Sequence, residues 1–174
     1  MTSEWKTVDV LDISSKLSLS DTSYFHDNPL IVDVPSGRYD VGVRVESETT
    51  AYGDNSFVTC IRVFASTQQV RRGKQLGYLS VDFAQIGVCD RTAIERELAN
   101  LSDEQMHLYY DQLKTTDESE TTRMTGVVTL PGGGKMVWVL GGIGNGEYAV
   151  YEMRDATGVV AGVEVDLTEE NEDA

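Results

Sequence analysis

The chain has 174 residues, 40% of them hydrophobic and 25% charged, which is enough for one globular domain that buries its core without disulfide or metal staples. Its 29 acids against 14 bases leave a net charge of −15, a potential that repels phosphate backbones, so direct nucleic-acid binding is not expected. No run approaches the roughly 18 apolar residues of a membrane span, and Met1 to Lys6 lack the basic and apolar regions of a signal peptide, which points to neither membrane nor secretion but to the cytoplasm.

Taken in order, the elements are mostly strands. After the turn chemistry of Pro35-Ser36-Gly37, Tyr39, Val41, Val43 and Val45 alternate with Asp40, Gly42, Arg44 and Glu46, the pattern of a strand with one buried and one wet face. Gly53-Asp54-Asn55 reads as the next turn, residues 57–65 as a more fully buried strand, and residues 79–83 as another. Residues 92–114 break the alternation: Ile94, Leu98 and Leu101, then Met106, Tyr109 and Leu113, recur at helical spacing. Two short helices are expected, because Ser102 and Gln105 form a capping box and Asp103 and Glu104 suit a new N-terminus. Residues 115–122 read as an exposed loop. Strands return at 125–130, 135–140, 147–154 and 159–167, separated by Gly-rich or Asx turns that include Pro131-Gly132-Gly133-Gly134 and Asp155-Ala156-Thr157-Gly158. The expected fold is α+β and β-dominated, an antiparallel sheet or sandwich with a short helical insertion, as one domain over 1–167 followed by an acidic, disordered tail over 168–174.

Most chemical motifs fail on spacing. Gly132-Gly133-Gly134-Lys135 lacks the glycine five residues before Gly134, the Ser or Thr and the helix of a phosphate loop, and a strand follows it. Gly141 to Gly146 lacks dinucleotide spacing and also leads into a strand, so no nicotinamide or flavin site is indicated. His26 and His107 have no partners at zinc-ligand spacing. Cys60 and Cys89 lie in apolar runs and are expected as buried free thiols; for Cys89 the only nearby cation is Arg91, which is a poor setting for a nucleophile.

Carboxylates are the better candidates. Asp82 and Asp90 bracket Phe83-Ala84-Gln85-Ile86-Gly87-Val88-Cys89, so both could flank one loop at the end of an apolar strand. Asp82 within Val81-Asp82-Phe83 either points outward, clamps loop amides, or joins a cation or substrate site. Asp166 poses the same question, although alternation with Glu164 suits a wet face.

Five phrases occur in an ordered series: Val34-Pro35-Ser36-Gly37-Arg38-Tyr39-Asp40-Val41, Val81-Asp82 with Asp90 eight residues on, Gly144-Asn145-Gly146-Glu147-Tyr148, Asp155-Ala156-Thr157-Gly158, and Val165-Asp166-Leu167. Over about residues 30–167 this series resembles the bacterial domain-of-unknown-function family 4241. The resemblance implies a compact, bacterial, cytoplasmic β-rich fold and assigns no activity. The sequence departs from the family pattern where Asn145 replaces the aspartate of Gly-Asp-Gly, Asp40 replaces a proline, and Leu167 replaces a closing aromatic residue.

Two functions are weighed. The leading expectation is a non-enzymatic binding protein, of the immunity type that neutralises a partner, with an acidic face for a basic protein and no cofactor. The alternative is a metal-assisted enzyme or small-ligand domain in which Asp82, Asp90, Asn145 and Tyr148 line an oxygen-rich site for calcium or magnesium.

Overall fold

The computed structural model describes residues 2–24, 28–66, 68–116, 118–119, 122–141 and 144–170. In chain order the elements are β1 (Thr2–Ile13), β2 (Lys16–Asp21), a 3-10 turn (Thr22–Tyr24), β3 (Leu30–Asp33), β4 (Gly37–Thr50), β5 (Gly53–Ala65), β6 (Arg71–Val81) and β7 (Gln85–Asp90). There follow α1 (Arg91–Leu98), α2 (Asp103–Gln112), β8 (Thr125–Thr129), β9 (Lys135–Leu140), β10 (Gly146–Arg154) and β11 (Val160–Glu170). Among the described residues strands take 62% and helices 13%, so the β-dominated α+β class is as expected.

Two antiparallel sheets form, one of six strands in the order β1-β4-β5-β11-β10-β6, the other of five in the order β3-β2-β7-β9-β8. Alternation explains how they stack. Val41, Val43, Ile61, Val63, Val163 and Val165 on the larger sheet meet Leu17, Leu19, Ile86, Val88, Val137 and Val139 on the smaller one. The opposite face of the smaller sheet supplies Cys89, Val128, Met136 and Trp138, which pack under Ile94, Leu98 and Tyr109 of the helices. Strands β7 and β9 are therefore buried on both faces and neither alternates in sequence; β9 reads as a continuous apolar run.

The capping box expected between the helices is made: the Gln105 amide donates to Ser102 Oγ at 3.3 Å, and the Ser102 amide donates to Gln105 Oε1 at 3.0 Å. The Pro131–Gly134 turn does hold an anion, supplied by the chain itself. The amides of Gly132 and Gly134 donate to the two Glu97 carboxylate oxygens at 3.0 and 2.9 Å, which ties α1 to the β8–β9 hairpin. A Cβ at either glycine would stand 2.7 Å from that carboxylate.

Three expectations need correction. The turn placed at Gly53-Asp54-Asn55 lies instead at Ala51-Tyr52, and the three residues belong to β5. The closing strand β11 runs to Glu170, past the expected start of a solvated tail at 168; residues 171–174 and His26 lie outside the described residues. The third concerns the wet face. Glu164 and Asp166 do point away from the core, but they are only 2% and 7% exposed.

What covers them is a row of side chains across the outer face of the six-stranded sheet. Arg62 of β5 lies 4.5 Å over the Trp5 ring and donates Nε to Glu164 Oε2 at 2.8 Å. Arg72 of β6 lies 4.2 Å over the Tyr151 ring, donates Nε to Glu164 Oε1 at 2.6 Å, and reaches Asp166 Oδ2 at 3.1 Å. Each carboxylate is thereby paired and hydrogen-bonded, the condition for keeping a charge out of water. At the free edge, β6 bulges twice against β10 and exposes Arg71 and Lys74, both of which discourage a further strand from pairing there.

This network has a pH signature. Burial opposes ionisation of Asp166, yet the Thr168 hydroxyl and amide and the Arg72 guanidinium outweigh it and hold the carboxyl below its ordinary value. A folded-state pKa that is depressed contributes stability above the unfolded value of about 3.9 and loses it as pH falls through the folded value. Asp166→Asn is therefore expected to be less stable than the parent at pH 7, with the gap closing below about pH 4 in urea titrations. A gap that stays constant down to pH 2 would count against the ion pair with Arg72.

Candidate functional site

The structure divides the four residues expected to share a site. Most of the segment between Asp82 and Asp90 is the strand β7 and not a loop: Asp90 is its last residue, Asp82 lies three residues before its first, and the five steps of the strand alone span about 17 Å. Asp90 is buried, accepts the Ser14 hydroxyl at 3.0 Å, and stands at the N-cap position of α1 without capping it through its side chain. Asn145 is exposed and adjoins Gly146, which pairs with Val81, so it lies at the same end of the β6–β10 pair as Asp82. Tyr148 is wholly buried in the inter-sheet core, and its hydroxyl donates to the Gly144 carbonyl at 2.6 Å, tying down the glycine-rich loop. The expected oxygen-lined site of Asp82, Asp90, Asn145 and Tyr148 is not assembled. Among the described residues no three His, Cys, Asp or Glu side chains are grouped to hold a metal ion. Cys89 is buried as well, and desolvation pushes its thiol well above the ordinary value; the Cys60 thiol is pushed up to about 12 for the same reason.

Of the three roles weighed for Asp82, the outward one is found: its side chain is exposed. The clamp belongs to Asp21, at the end of β2. Asp21 Oδ1 accepts the Ser23 amide at 2.8 Å, and Oδ2 accepts the amides of Asp82 and Phe83 at 2.8 and 2.9 Å. The next residue, Ala84, holds a left-handed backbone at φ 57°, which costs a non-glycine residue about 1–2 kcal/mol, and its carbonyl accepts the Gly141 amide at 2.6 Å. Backbone strain of this kind persists where surrounding bonds over-determine the conformation, and it concentrates at functional surfaces. Here it presents Phe83, 57% exposed, next to Asp82. Asp21→Asn is expected to cost about 2 kcal/mol, since bonds to a charged acceptor are the stronger kind. It should also speed hydrogen exchange at the Asp82 and Phe83 amides; unchanged exchange there would remove Asp21 as the anchor.

Behind the loop, Gln85 fastens the helix layer. Its buried amide takes the Thr22 hydroxyl on one side and donates to the Leu113 carbonyl at 2.8 Å on the other. Trp138 Nε1 donates to the adjoining Gln112 carbonyl at 3.0 Å, so the C-terminal end of α2 is held twice. The Thr22–Gln85 contact forms a septum between two pockets. One, of about 340 Å³, is lined by Phe83, Gln85, Leu113, Lys114, Thr115 and Thr116. The other, of about 220 Å³, lies between Thr22 and the apolar walls of Leu98, Met106, Tyr109 and Tyr110. Tyr109 is buried while Tyr110 is 55% exposed; their rings meet edge to face at 5.3 Å, which orients the outer ring.

Charge on α2 is acidic, while Lys114 and Arg123 place cations beside the larger pocket. Helix α2 carries Asp103, Glu104 and Asp111 and no lysine or arginine, and His107 on it is exposed. Lys114, at the rim of the larger pocket, is engaged by Asp111 at 2.8 Å, and that hydrogen bond lowers the Asp111 carboxyl. A scan against family models and searches of curated proteins and of solved structures returned no match. The preformed pockets, the anchored aromatic rims and the acidic border suit recognition of another molecule's side chains.

Proposed function

We propose that the protein is a non-enzymatic interaction protein that holds a basic protein partner on the face built by α2 and the Asp82-Phe83-Ala84 loop. One observation carries this reading: two adjoining pockets are rimmed by solvent-facing Phe83 and Tyr110 on backbone that is already locked by Asp21 and Gln85. Large aromatic side chains beside pockets supply the central contacts of protein interfaces, and a pre-ordered loop avoids the entropy cost of arranging them on binding. The surplus of acid, −15 overall, would steer a basic partner toward the molecule and disfavour acidic ones.

Neutralisation of a partner, as in immunity-type proteins, is the form of this function expected from the sequence. The test uses the full chain as bait in a native lysate at low salt, in parallel with a Phe83→Ala/Tyr110→Ala bait. A basic protein recovered one-to-one with the parent, released by salt and absent from the double variant, is the expected result. Recovery of no stoichiometric partner at low salt would sink the proposal.

A further inference from the structure

Resting on that reading, we infer that the partner is recognised through a cationic segment built around one large apolar side chain. The apolar residue fills the 220 Å³ pocket between α1 and α2, and a flanking lysine or arginine lies across Phe83 beside Asp82.

The division of labour follows from what lines each place. The smaller pocket presents Leu98, Ala99, Met106, Tyr109 and Tyr110, with only Thr22 and Ser23 at its polar margin, and its volume suits one leucine, methionine or phenylalanine. Burial of such a side chain away from water is the largest favourable contact the groove offers, so it supplies most of the affinity. The thioether of Met106 lets the wall adapt to branched or straight anchors. The cation has a different receptor. Phe83 offers an exposed aromatic ring and Asp82 an exposed carboxylate on the same pinned loop, and a guanidinium or ammonium contacts both at once. At an exposed position both contacts are screened by water and weak, so the cation sets polarity and on-rate more than affinity.

Charge disfavours the other occupants of the groove. A second copy of this chain would press Asp82 and the acids of α2 against themselves, and a phosphate-bearing surface would meet the same repulsion. Because the Thr22–Gln85 septum separates the pockets, the anchor and the cation come from neighbouring side chains of one segment.

A displayed library of random 12-residue segments, selected on the full chain at low salt and counter-selected on Phe83→Ala/Tyr110→Ala, tests this without knowledge of the partner. Enriched segments should carry one large apolar residue flanked by two or more lysines or arginines. A synthetic peptide of that kind should bind about tenfold more weakly to Tyr110→Ala and to Asp82→Lys, a loss of about 1.4 kcal/mol, and equally well to Tyr52→Ala, which alters the distant β4–β5 tip. Phe83 and Tyr110 are more than half exposed, so their truncation leaves the fold intact, and melting temperatures check that. Enrichment of acidic or neutral segments, or of none, overturns the inference, as does binding indifferent to the apolar anchor. If the lysate partner is captured but its contacts map to another face, the inference falls and the interaction function stands.

Discussion

Gly162→Ala is expected to cost about 4 kcal/mol or more, an exceptional loss for a single methyl group and enough to unfold much of the protein. Gly162 pairs with Phe64 at the centre of the six-stranded sheet, and a Cβ there would stand 2.0 Å from the Val63 carbonyl oxygen and 2.8 Å from the Phe64 Cα. Both neighbours are backbone of β5, so no rotamer change relieves the overlap; the strands must separate. The φ of 152° at this position is also one that side-chain-bearing residues seldom adopt. Gly42→Ala, in the same sheet, is the control, because its added Cβ meets nothing closer than 3.6 Å and should cost less than about 1 kcal/mol. Urea denaturation of the two variants decides the matter. Equal costs would mean that β5 and β11 are not in the register Gly162 to Phe64.

The second large effect lies on the outer face of the same sheet. Arg62→Ala/Arg72→Ala is expected to cost about 3 kcal/mol, because it strands the Glu164 carboxylate, 3% exposed, without a counter-charge. The figure sits at the low end for a broken buried pair because the two arginine side chains are themselves 33% and 42% exposed. Adding Glu164→Leu to the double variant should restore most of the loss, since the charge that suffered is gone and an apolar side chain of similar volume takes its place. If the triple variant is no better than the double one, the stabilisation comes from the arginine stems packing on Trp5 and Tyr151 rather than from the ion pairs. Unfolding midpoints at constant m-value separate these outcomes.

How much of this was readable from the chain depended on where each element's evidence lay. Strands β4, β5, β9, β10 and β11 were legible because their own alternation or apolar run matches their burial. The two helices were legible from spacing, and the capping box dated their boundary to Ser102. Strand β7 was missed because both of its faces are buried, so it shows no period, and Gln85 and Gly87 mimic loop composition. That single omission placed Asp82 and Asp90 side by side. Strand β1 and the first part of β6, before the expected strand at residue 79, were hidden by their place at sheet edges, where polar and charged residues replace half of the pattern.

The candidate site was legible only in part. Asp21 followed by Thr22 and Ser23 is a local Asx-turn signal that was available, whereas its bonds to amides 61 and 62 residues away are a property of the fold. Tyr110 could have been flagged: Met106, Tyr109 and Leu113 take the buried spacing on α2, which leaves its neighbour turned about 100° away. Nothing in Phe83's surroundings along the chain announces exposure, since it follows an apolar strand; the left-handed Ala84 and the Asp21 clamp turn it outward.

The position of β11 also shapes the order in which the molecule can be made. It lies between β5 and β10, so while a ribosome has yet to release residues 160–170, both of those strands present open edges and the first half of the larger sheet lacks its centre. Strands β4 and β5 can zip early by hairpin closure and β1 can join β4 soon after, but completion waits for a partner synthesised about a hundred residues later, a long-range closure that slows folding and prolongs exposure of pairing-competent backbone. Nascent chains stalled before residue 160 therefore leave one edge of β5 without its partner.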